Sequence, residues 1–159
     1  MYTLDDIDYK LLSLLQENAR LTTKELAARV NLSTTPVYER IKRLESEGYI
    51  RGYVAVLDPD KLNLGFAVYC NVKLDRHSYG AVNEFMSVVR DIPAVTECYN
   101  MAGATDFLLK IYAPDMKYYR RFVMEVLGRI ESIGSVASTF VMNEVKRTSS
   151  LPLSIHRED

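Results

Sequence analysis

The chain of 159 residues has few of the groups that enzymes, metalloproteins and secreted proteins rely on. Its two cysteines, Cys70 and Cys98, form no Cys-x-x-Cys pair and have no histidine at metal-ligand spacing, so we expect two buried thiols. Its two histidines, His77 and His156, have no recognisable nucleophile or carboxylate partner and are expected at the surface. Phosphate-binding glycine loops are also absent. The sequence therefore predicts a protein that is not an enzyme and has no metal or organic cofactor.

Long apolar runs and an excess of one charge are missing as well. No segment approaches the roughly 18 consecutive apolar residues of a membrane-spanning helix, and the acidic start at residues 1–6 is unlike a targeting peptide. We therefore expect a cytoplasmic protein without a membrane partner. The net charge is −1, and residues 1–57 hold eight basic and eight acidic side chains. Because nucleic-acid-binding domains are usually basic, composition alone does not favour such a partner.

The length of the chain suits two compact domains of about 60 and about 90 residues. Turn-forming residues at positions 58–63 interrupt the periodic patterns on either side. We therefore predict one domain over residues 1–60 and a second over residues 61–159.

Three helices are predicted in the first domain. Acidic residues followed by an apolar series at helical spacing predict a helix over about residues 5–17. A second helix begins at Thr22 or Thr23, with Glu25 within reach for a capping box. A third begins at Ser33, carries Pro36 in its first turn and ends at Gly48.

The spacing between the second and third helices is typical of a helix-turn-helix. Ala27, Asn31 and Val37 occupy relative positions 1, 5 and 11, and asparagine tolerates the left-handed backbone of a sharp turn. In that motif the N-terminal end of the third helix faces base edges and nearby cations approach phosphates. The alternative is a solvated face on which the basic residues pair with neighbouring glutamates. The residues predicted to contact DNA are Ser33, Thr34, Thr35, Tyr38, Glu39, Arg40, Arg43 and Arg51.

Residues Tyr49–Leu57 alternate and are rich in tyrosine and valine, which predicts a strand or a two-stranded wing after the third helix. The second domain shows alternating strand and helix patterns in the order βαββαβ. This order predicts a ferredoxin-like antiparallel sheet with two helices on one face, and an α+β protein overall. The predicted strands are Phe66–Leu74, Val95–Met101, Phe107–Ala113 and Val136–Val145, and the helical spacings run from Val82 to Val89 and from Tyr119 to Ile130.

A sheet covered on one side leaves its other face exposed, and a second copy of the chain would cover it. Exposed aromatic residues on such a sheet also bind RNA in other proteins, and Tyr69, Tyr99 and Tyr112 lie on predicted strands. The basic and aromatic stretch of RNA-binding sheets is absent, however. A third interpretation treats the helix-turn-helix as a protein-interaction module in a structural assembly factor.

Three stretches resemble the Lrp/AsnC, or feast/famine, family of transcriptional regulators, and the resemblance covers nearly the whole chain. They are residues 4–8 (LDDID), residues 32–45 (LSTTPVYERIKRLE) with 48–50 (GYI) after them, and residues 103–110 (GATDFLLK). The first two lie in the predicted DNA-binding domain and the third lies in the predicted effector domain.

The resemblance implies a winged helix-turn-helix regulator that binds a pseudo-palindromic, double-stranded DNA operator as a homodimer, with dimers assembling into tetramers or octamers. It also implies a small effector, usually an amino acid, bound between subunits. The effector-binding residues implied by the family pattern are Tyr99, Asn100, Met101, Gly103, Ala104, Thr105 and Asp106, with Ser138 from the last strand.

Two of these residues, Asp106 and Gly103, each have two possible roles on chemical grounds. Asp106 either binds the ammonium group of an amino acid or caps a turn, and Gly103 either supplies a positive φ to the hairpin or contacts the ligand. The sequence also departs from the family at the last strand, where relatives often carry a Thr-x-Thr pair. Val136 and Ser138 align with that pair, so one hydroxyl is missing, and the pocket is either altered or without function.

Overall fold

A computed structural model describes residues 3–76 and 78–153. Its contacts divide the chain into two compact units. Among the described residues, the first unit contains residues 3–56 and 146–153, and the second contains residues 57–76 and 78–145. His77 and His156 lie outside the described residues. The division into a DNA-binding domain over 1–60 and an effector domain over 61–159 stays a prediction.

The first unit is built from three helices: α1 (Asp6–Glu17), α2 (Thr23–Val30) and α3 (Thr34–Ser46). Each presents apolar residues at helical spacing, and these meet in one buried cluster. The fully or nearly fully buried side chains of this cluster are Leu11, Leu26, Ala27, Val30 and Val37. The three predicted helices are therefore confirmed.

The strand or two-stranded wing predicted at Tyr49–Leu57 is not formed, and this expectation is wrong for the single chain. Residues 51–58 have no regular secondary structure, and Val54 and Val56 expose 87% and 81% of their surface. A strand needs a neighbour to bind its N–H and C=O groups, and none of the strand pairings in the described chain includes this segment. The sequence pattern indicates that this segment favours an extended backbone, but it does not show that no neighbouring strand is present to pair with it.

The second unit has the predicted ferredoxin-like arrangement. Its helices are α4 (Tyr79–Arg90) and α5 (Met116–Glu125), and its four strands form one antiparallel sheet in the order β2-β3-β1-β4. Consecutive residues point to opposite faces of a strand, so β1 directs Val68, Cys70 and Val72 into the core. The strands are β1 (Phe66–Leu74), β2 (Val95–Asn100), β3 (Phe107–Ala113) and β4 (Ile133–Phe140).

Besides β2, which ends at Asn100 and not at Met101, three details of the second unit differ from the sequence prediction. The last strand was expected at Val136–Val145 but spans Ile133–Phe140, because it pairs with β1 from Leu74 to Val68 and the chain then leaves the sheet. Helix α5 ends at Glu125 instead of continuing to Ile130, since a 3-10 turn replaces its last turn. Cys70 is buried as expected, but Cys98 is exposed because it lies on the edge strand β2.

Among the described residues, no helix has both the length and the apolar character needed to cross a bilayer. Residues 3–76 and 78–153 also contain no group of three His, Cys, Asp or Glu side chains placed to hold a metal ion.

Candidate nucleic-acid interface and ligand site

The turn between α2 and α3 has the geometry that the sequence predicted. Thr22 and Glu25 form a reciprocal capping box at the start of α2, which satisfies two N–H groups that the helix itself cannot. Asn31 ends α2 with φ 55° and ψ 45°, in the left-handed region, and the Leu32 N–H donates to the Ala27 carbonyl at 3.0 Å. Two helices therefore meet in a sharp turn, as in a helix-turn-helix.

The start of α3 forms an open polar surface. Ser33, Thr34 and Thr35 are exposed, as is Glu39. Ser33 occupies the N-cap position, yet its side chain makes no capping hydrogen bond, and the first turn of α3 contains no acidic residue. Unsatisfied N–H groups at a helix N-terminus attract anions, so this end of α3 suits contact with a polyanion.

A shallow hollow lies on this surface, lined by Thr34, Thr35, Tyr38 and Thr23. Thr23 was not among the predicted site residues. A signal for it was available, because the first helix of a helix-turn-helix crosses the DNA backbone and Thr23 is the first residue of that helix. Tyr38 is half exposed, and the Lys42 ammonium lies over its ring at 5.8 Å from the centroid.

Arg40 does not belong to this surface. Its Nη1 atom lies 2.7 Å from Asp5 Oδ2 and 2.8 Å from Asp8 Oδ1, and its side chain is only 21% exposed. Hydrogen bonding to Asp8 raises the pKa of the Arg40 guanidinium, although burial acts in the opposite direction. In this structure Arg40 therefore forms an ion pair with α1, and its contact with a DNA phosphate stays a prediction.

The other predicted cations remain accessible. Arg43 is exposed in the second half of α3, and Arg51 is exposed in the segment without regular structure that follows. Lys42 pairs with Glu45 at 2.9 Å. Its pKa is raised, and that of Glu45 lowered, mainly by their mutual hydrogen bond.

The loop between β2 and β3, residues 101–106, is anchored to the end of β1. The Leu74 N–H donates to Asp106 Oδ2 at 2.7 Å, and the Asp106 N–H donates to the Val72 carbonyl at 3.0 Å. The Thr105 hydroxyl lies 3.5 Å from Asn71 Oδ1. The carboxylate of Asp106 therefore holds the loop in place. Of the two interpretations from the sequence, this is the one in which Asp106 caps a turn.

Gly103 differs from its expected conformation. Among the described glycines, the one with a positive φ is Gly48, at the end of α3, so the expectation that Gly103 supplies a positive φ is wrong. A Cβ atom at Gly103 would have no neighbour within 4 Å. Ala104 and Met101 of the same loop are exposed. The outer side of this loop is therefore open to solvent.

One chain does not bring all the predicted effector-binding residues together. Tyr99 pairs with Leu108 in the sheet, whereas Ser138 is on the opposite edge strand and pairs with Cys70. Three strand spacings of about 4.8 Å put these edges about 14 Å apart. Ser138 Oγ also lies 2.6 Å from the hydroxyl of Tyr119 on α5, so Ser138 faces the helices.

The uncovered face of the sheet carries a charged pair that sequence analysis missed. Lys110 Nζ donates to Glu97 Oε1 at 3.2 Å and lies over the rings of Tyr69 and Tyr112, 5.8 and 5.5 Å from their centroids. Burial opposes the charge on Lys110, but Glu97 and the tyrosines raise its pKa overall. Tyr99 donates to Glu97 Oε2 at 2.7 Å. The signal was the alternation along β3, in which the lysine is the polar residue between Leu108 and Tyr112.

Comparison with known families accounts for both units. Residues 4–51 match a family model for winged helix-turn-helix DNA-binding domains, and residues 67–151 match the Lrp/AsnC ligand binding domain. Together with the exposed start of α3 and the anchored loop, these matches define a DNA-binding transcriptional regulator with a separate ligand-binding domain.

Individual relatives agree along nearly the whole chain, which belongs to the Lrp/AsnC family. The DNA-binding transcriptional activator DecR of Escherichia coli K12 is 41% identical over 94% of this chain and 99% of its own length. The leucine-responsive regulatory protein of the same organism is 37% identical over 93% and 90%. A Neisseria meningitidis transcriptional regulator, solved with L-Met, is 40% identical over 97% and 99%, with a TM-score of 0.92. These relatives are transcriptional regulators and not enzymes.

Proposed function

We propose that the chain reads a DNA operator with the first half of α3. The observation that carries this proposal is the exposed, non-acidic start of α3 around the hollow at Thr35 and Tyr38. Hydroxyl groups bind either donors or acceptors on base edges in the major groove. We assign base contacts to the N-cap residue Ser33 and to Thr34, Thr35, Tyr38 and Glu39 of α3, with Thr23 at the margin.

Arg43 and Arg51 supply the proposed phosphate contacts. Both are exposed and follow the base-reading turn along the chain. Phosphate contacts position a protein on the duplex but carry no sequence information. Because each released counterion adds about one to the salt dependence of binding, the two kinds of contact are separable by experiment.

The test compares Thr35→Ala with Arg43→Ala on two duplexes, one selected by the wild-type chain from a random pool and one scrambled. Thr35→Ala should weaken binding to the selected duplex by about tenfold or more and leave the scrambled one unaffected, since a good base contact contributes about 1–3 kcal/mol. Arg43→Ala should weaken both and reduce the salt slope by about one. The control is Arg90→Ala, which removes an exposed cation of α4 in the other unit and should leave both affinities unchanged. Equal losses on both duplexes for Thr35→Ala would remove it from base recognition.

A homodimer formed through the uncovered sheet face is the second part of the proposal, with assembly of dimers into tetramers or octamers. Tyr69, Leu108 and Tyr112 lie there without a covering helix and are only partly exposed. A second copy would bury these apolar groups and give the operator two reading helices. Light scattering should give a multiple of the dimer mass. Leu108→Glu should shift the mass towards that of the monomer, whereas Lys61→Glu should leave it unchanged. A wild-type monomer would refute the dimer.

The effector is proposed to be an amino acid or a similar metabolite, bound at the loop of residues 101–106. A relative 40% identical to this chain was solved with L-Met. A carboxylate accepts about four hydrogen bonds, so Asp106 can hold the Leu74 N–H and also an ammonium group. Tyr99 and Ser138 lie on opposite edges of the sheet, which favours a site shared between copies. A regulator with these partners acts in the cytoplasm, where DNA and free amino acids are both present.

Calorimetry with L-Met and the other amino acids tests the effector. We expect binding of one or a few of them, weakened in Asp106→Asn. An absence of heat with all twenty, together with unchanged operator affinity, would contradict the amino-acid effector but not the operator proposal.

A further inference from the structure

We propose that Arg40 is a positioning residue for operator recognition, which fixes the base-reading helix α3 through Asp5 and Asp8 at the start of α1. The inference rests on the proposed base contacts of α3. It assigns a function in specificity to a cation whose charge is paired within the chain.

The two carboxylates are shared between a helix cap and the arginine. Asp5 Oδ1 accepts the Asp8 N–H at 2.9 Å and Asp8 Oδ2 accepts the Asp5 N–H at 3.2 Å, so the two residues form the capping box of α1. The second oxygen of each carboxylate, Asp5 Oδ2 and Asp8 Oδ1, lies 2.7 and 2.8 Å from the same Arg40 Nη1 atom. The cap and the ion pair are therefore one rigid group that joins α1 to the middle of α3.

Burial makes this group costly to break. Asp8 is completely buried, and a buried carboxylate that loses its cation is left with a large desolvation penalty. Arg40 belongs to the inward stripe of α3, since Val37, Arg40, Ile41 and Leu44 follow the spacing i, i+3, i+4 and i+7. We call the group of Asp5, Asp8 and Arg40 the clamp. It adds a directional ion pair to the inward stripe of α3, whose other members make non-directional apolar contacts.

A clamp of this kind should affect sequence recognition more than general DNA affinity. Base contacts require hydrogen-bond geometry at fixed edges of the groove, whereas phosphate contacts by long exposed cations tolerate a small tilt of the helix. Loosening α3 against α1 would misplace Thr34 and Thr35 while Arg43 and Arg51 still find phosphates. The expected signature is a lower ratio of specific to non-specific affinity.

The experiment uses the full chain with three substitutions: Arg40→Gln, Asp8→Asn and Asp5→Asn. Binding is measured to a duplex that the wild-type chain selects from a random pool, and to a scrambled duplex of equal length and base composition. Arg40→Gln and Asp8→Asn should each reduce the affinity ratio by about tenfold. The salt slope on scrambled DNA should not change, because no phosphate contact is lost. The double variant Arg40→Gln/Asp8→Asn should reduce the affinity ratio no further than either single variant does. The control is Arg90→Gln.

Asp5→Asn keeps the experiment decisive if the other variants fail to fold, because Asp5 is half exposed and asparagine retains a capping oxygen. It should give a smaller drop in the ratio, in the same direction. Wild-type ratios in the folded variants, or an Arg40→Gln variant that loses affinity equally on both duplexes with a reduced salt slope, would overturn the inference. A wild-type chain that does not distinguish the duplexes would instead overturn the operator proposal.

Discussion

Replacing Asp106 by alanine or by asparagine separates the structural part of its carboxylate from its proposed part in ligand binding. The Leu74 N–H donates to Asp106 Oδ2 at 2.7 Å, and Leu74 is 2% exposed. Asp106→Ala leaves this buried donor without that acceptor, which costs about 1–3 kcal/mol in the free energy of unfolding. Asp106→Asn keeps an oxygen at the same place and exchanges a charged hydrogen bond for a neutral one, so we expect a loss of about 1 kcal/mol or less.

Urea unfolding and amide exchange at Leu74 measure these losses. The alanine variant should unfold at a lower urea concentration and exchange the Leu74 amide faster, and the asparagine variant should remain near the wild type. For ligand binding the expectation differs, since both variants lack the negative charge that an ammonium group requires and should lose about tenfold or more in affinity. Wild-type stability in Asp106→Ala would refute the anchoring role, and wild-type ligand affinity in Asp106→Asn would refute the ammonium contact.

Substitutions at three other positions test local features of the two units. Burial raises the pKa of Tyr119 to about 12. Because the hydroxyl of the unfolded chain ionises near pH 10, the free energy of unfolding should fall by about 2–3 kcal/mol between pH 10 and 12. Urea unfolding of Tyr119→Phe should show a smaller decrease over this pH range. Asn31→Ala should cost about 1 kcal/mol at φ 55°, whereas Asn31→Gly should cost less, as denaturant midpoints would show. Gln16 Oε1 accepts the Leu151 N–H at 2.7 Å and Gln16 Nε2 donates to its carbonyl at 3.2 Å. Gln16→Ala should therefore speed amide exchange at Leu151, with Gln16→Glu as the control; unchanged exchange would contradict the tail contact.

Features that depend on a few neighbouring residues were predictable from the sequence. The capping box of Thr22 and Glu25 and the left-handed Asn31 were both expected, because a cap or a turn is decided by residues three or four positions apart. Strand β1 was expected at Phe66–Leu74 and is found there. Its alternating burial follows from the pleat, which a sequence pattern records directly.

Features that depend on distant partners were not predictable in the same way. Arg40 was assigned to a phosphate because it lies on a basic helix, yet its carboxylate partners are 32 and 35 positions earlier in the chain. Its membership of the inward stripe with Val37 and Leu44 was visible in the spacing. The spacing thus indicated a contact within the first unit, whereas the charge alone indicated a phosphate.

The predicted effector site also depends on residues that are distant from one another. Tyr99 and Ser138 are linked only through the family pattern, and within one chain they lie on opposite edges of the sheet and on opposite faces. Residues so far apart in one sheet can share a ligand only if a second copy brings one edge to the other. An effector bound there would stabilise the assembly by mass action, and its affinity would rise with the degree of association. Effector binding and subunit number should therefore change together when protein concentration is varied. An effector affinity that stays constant while the subunit number changes would place the whole site within one chain.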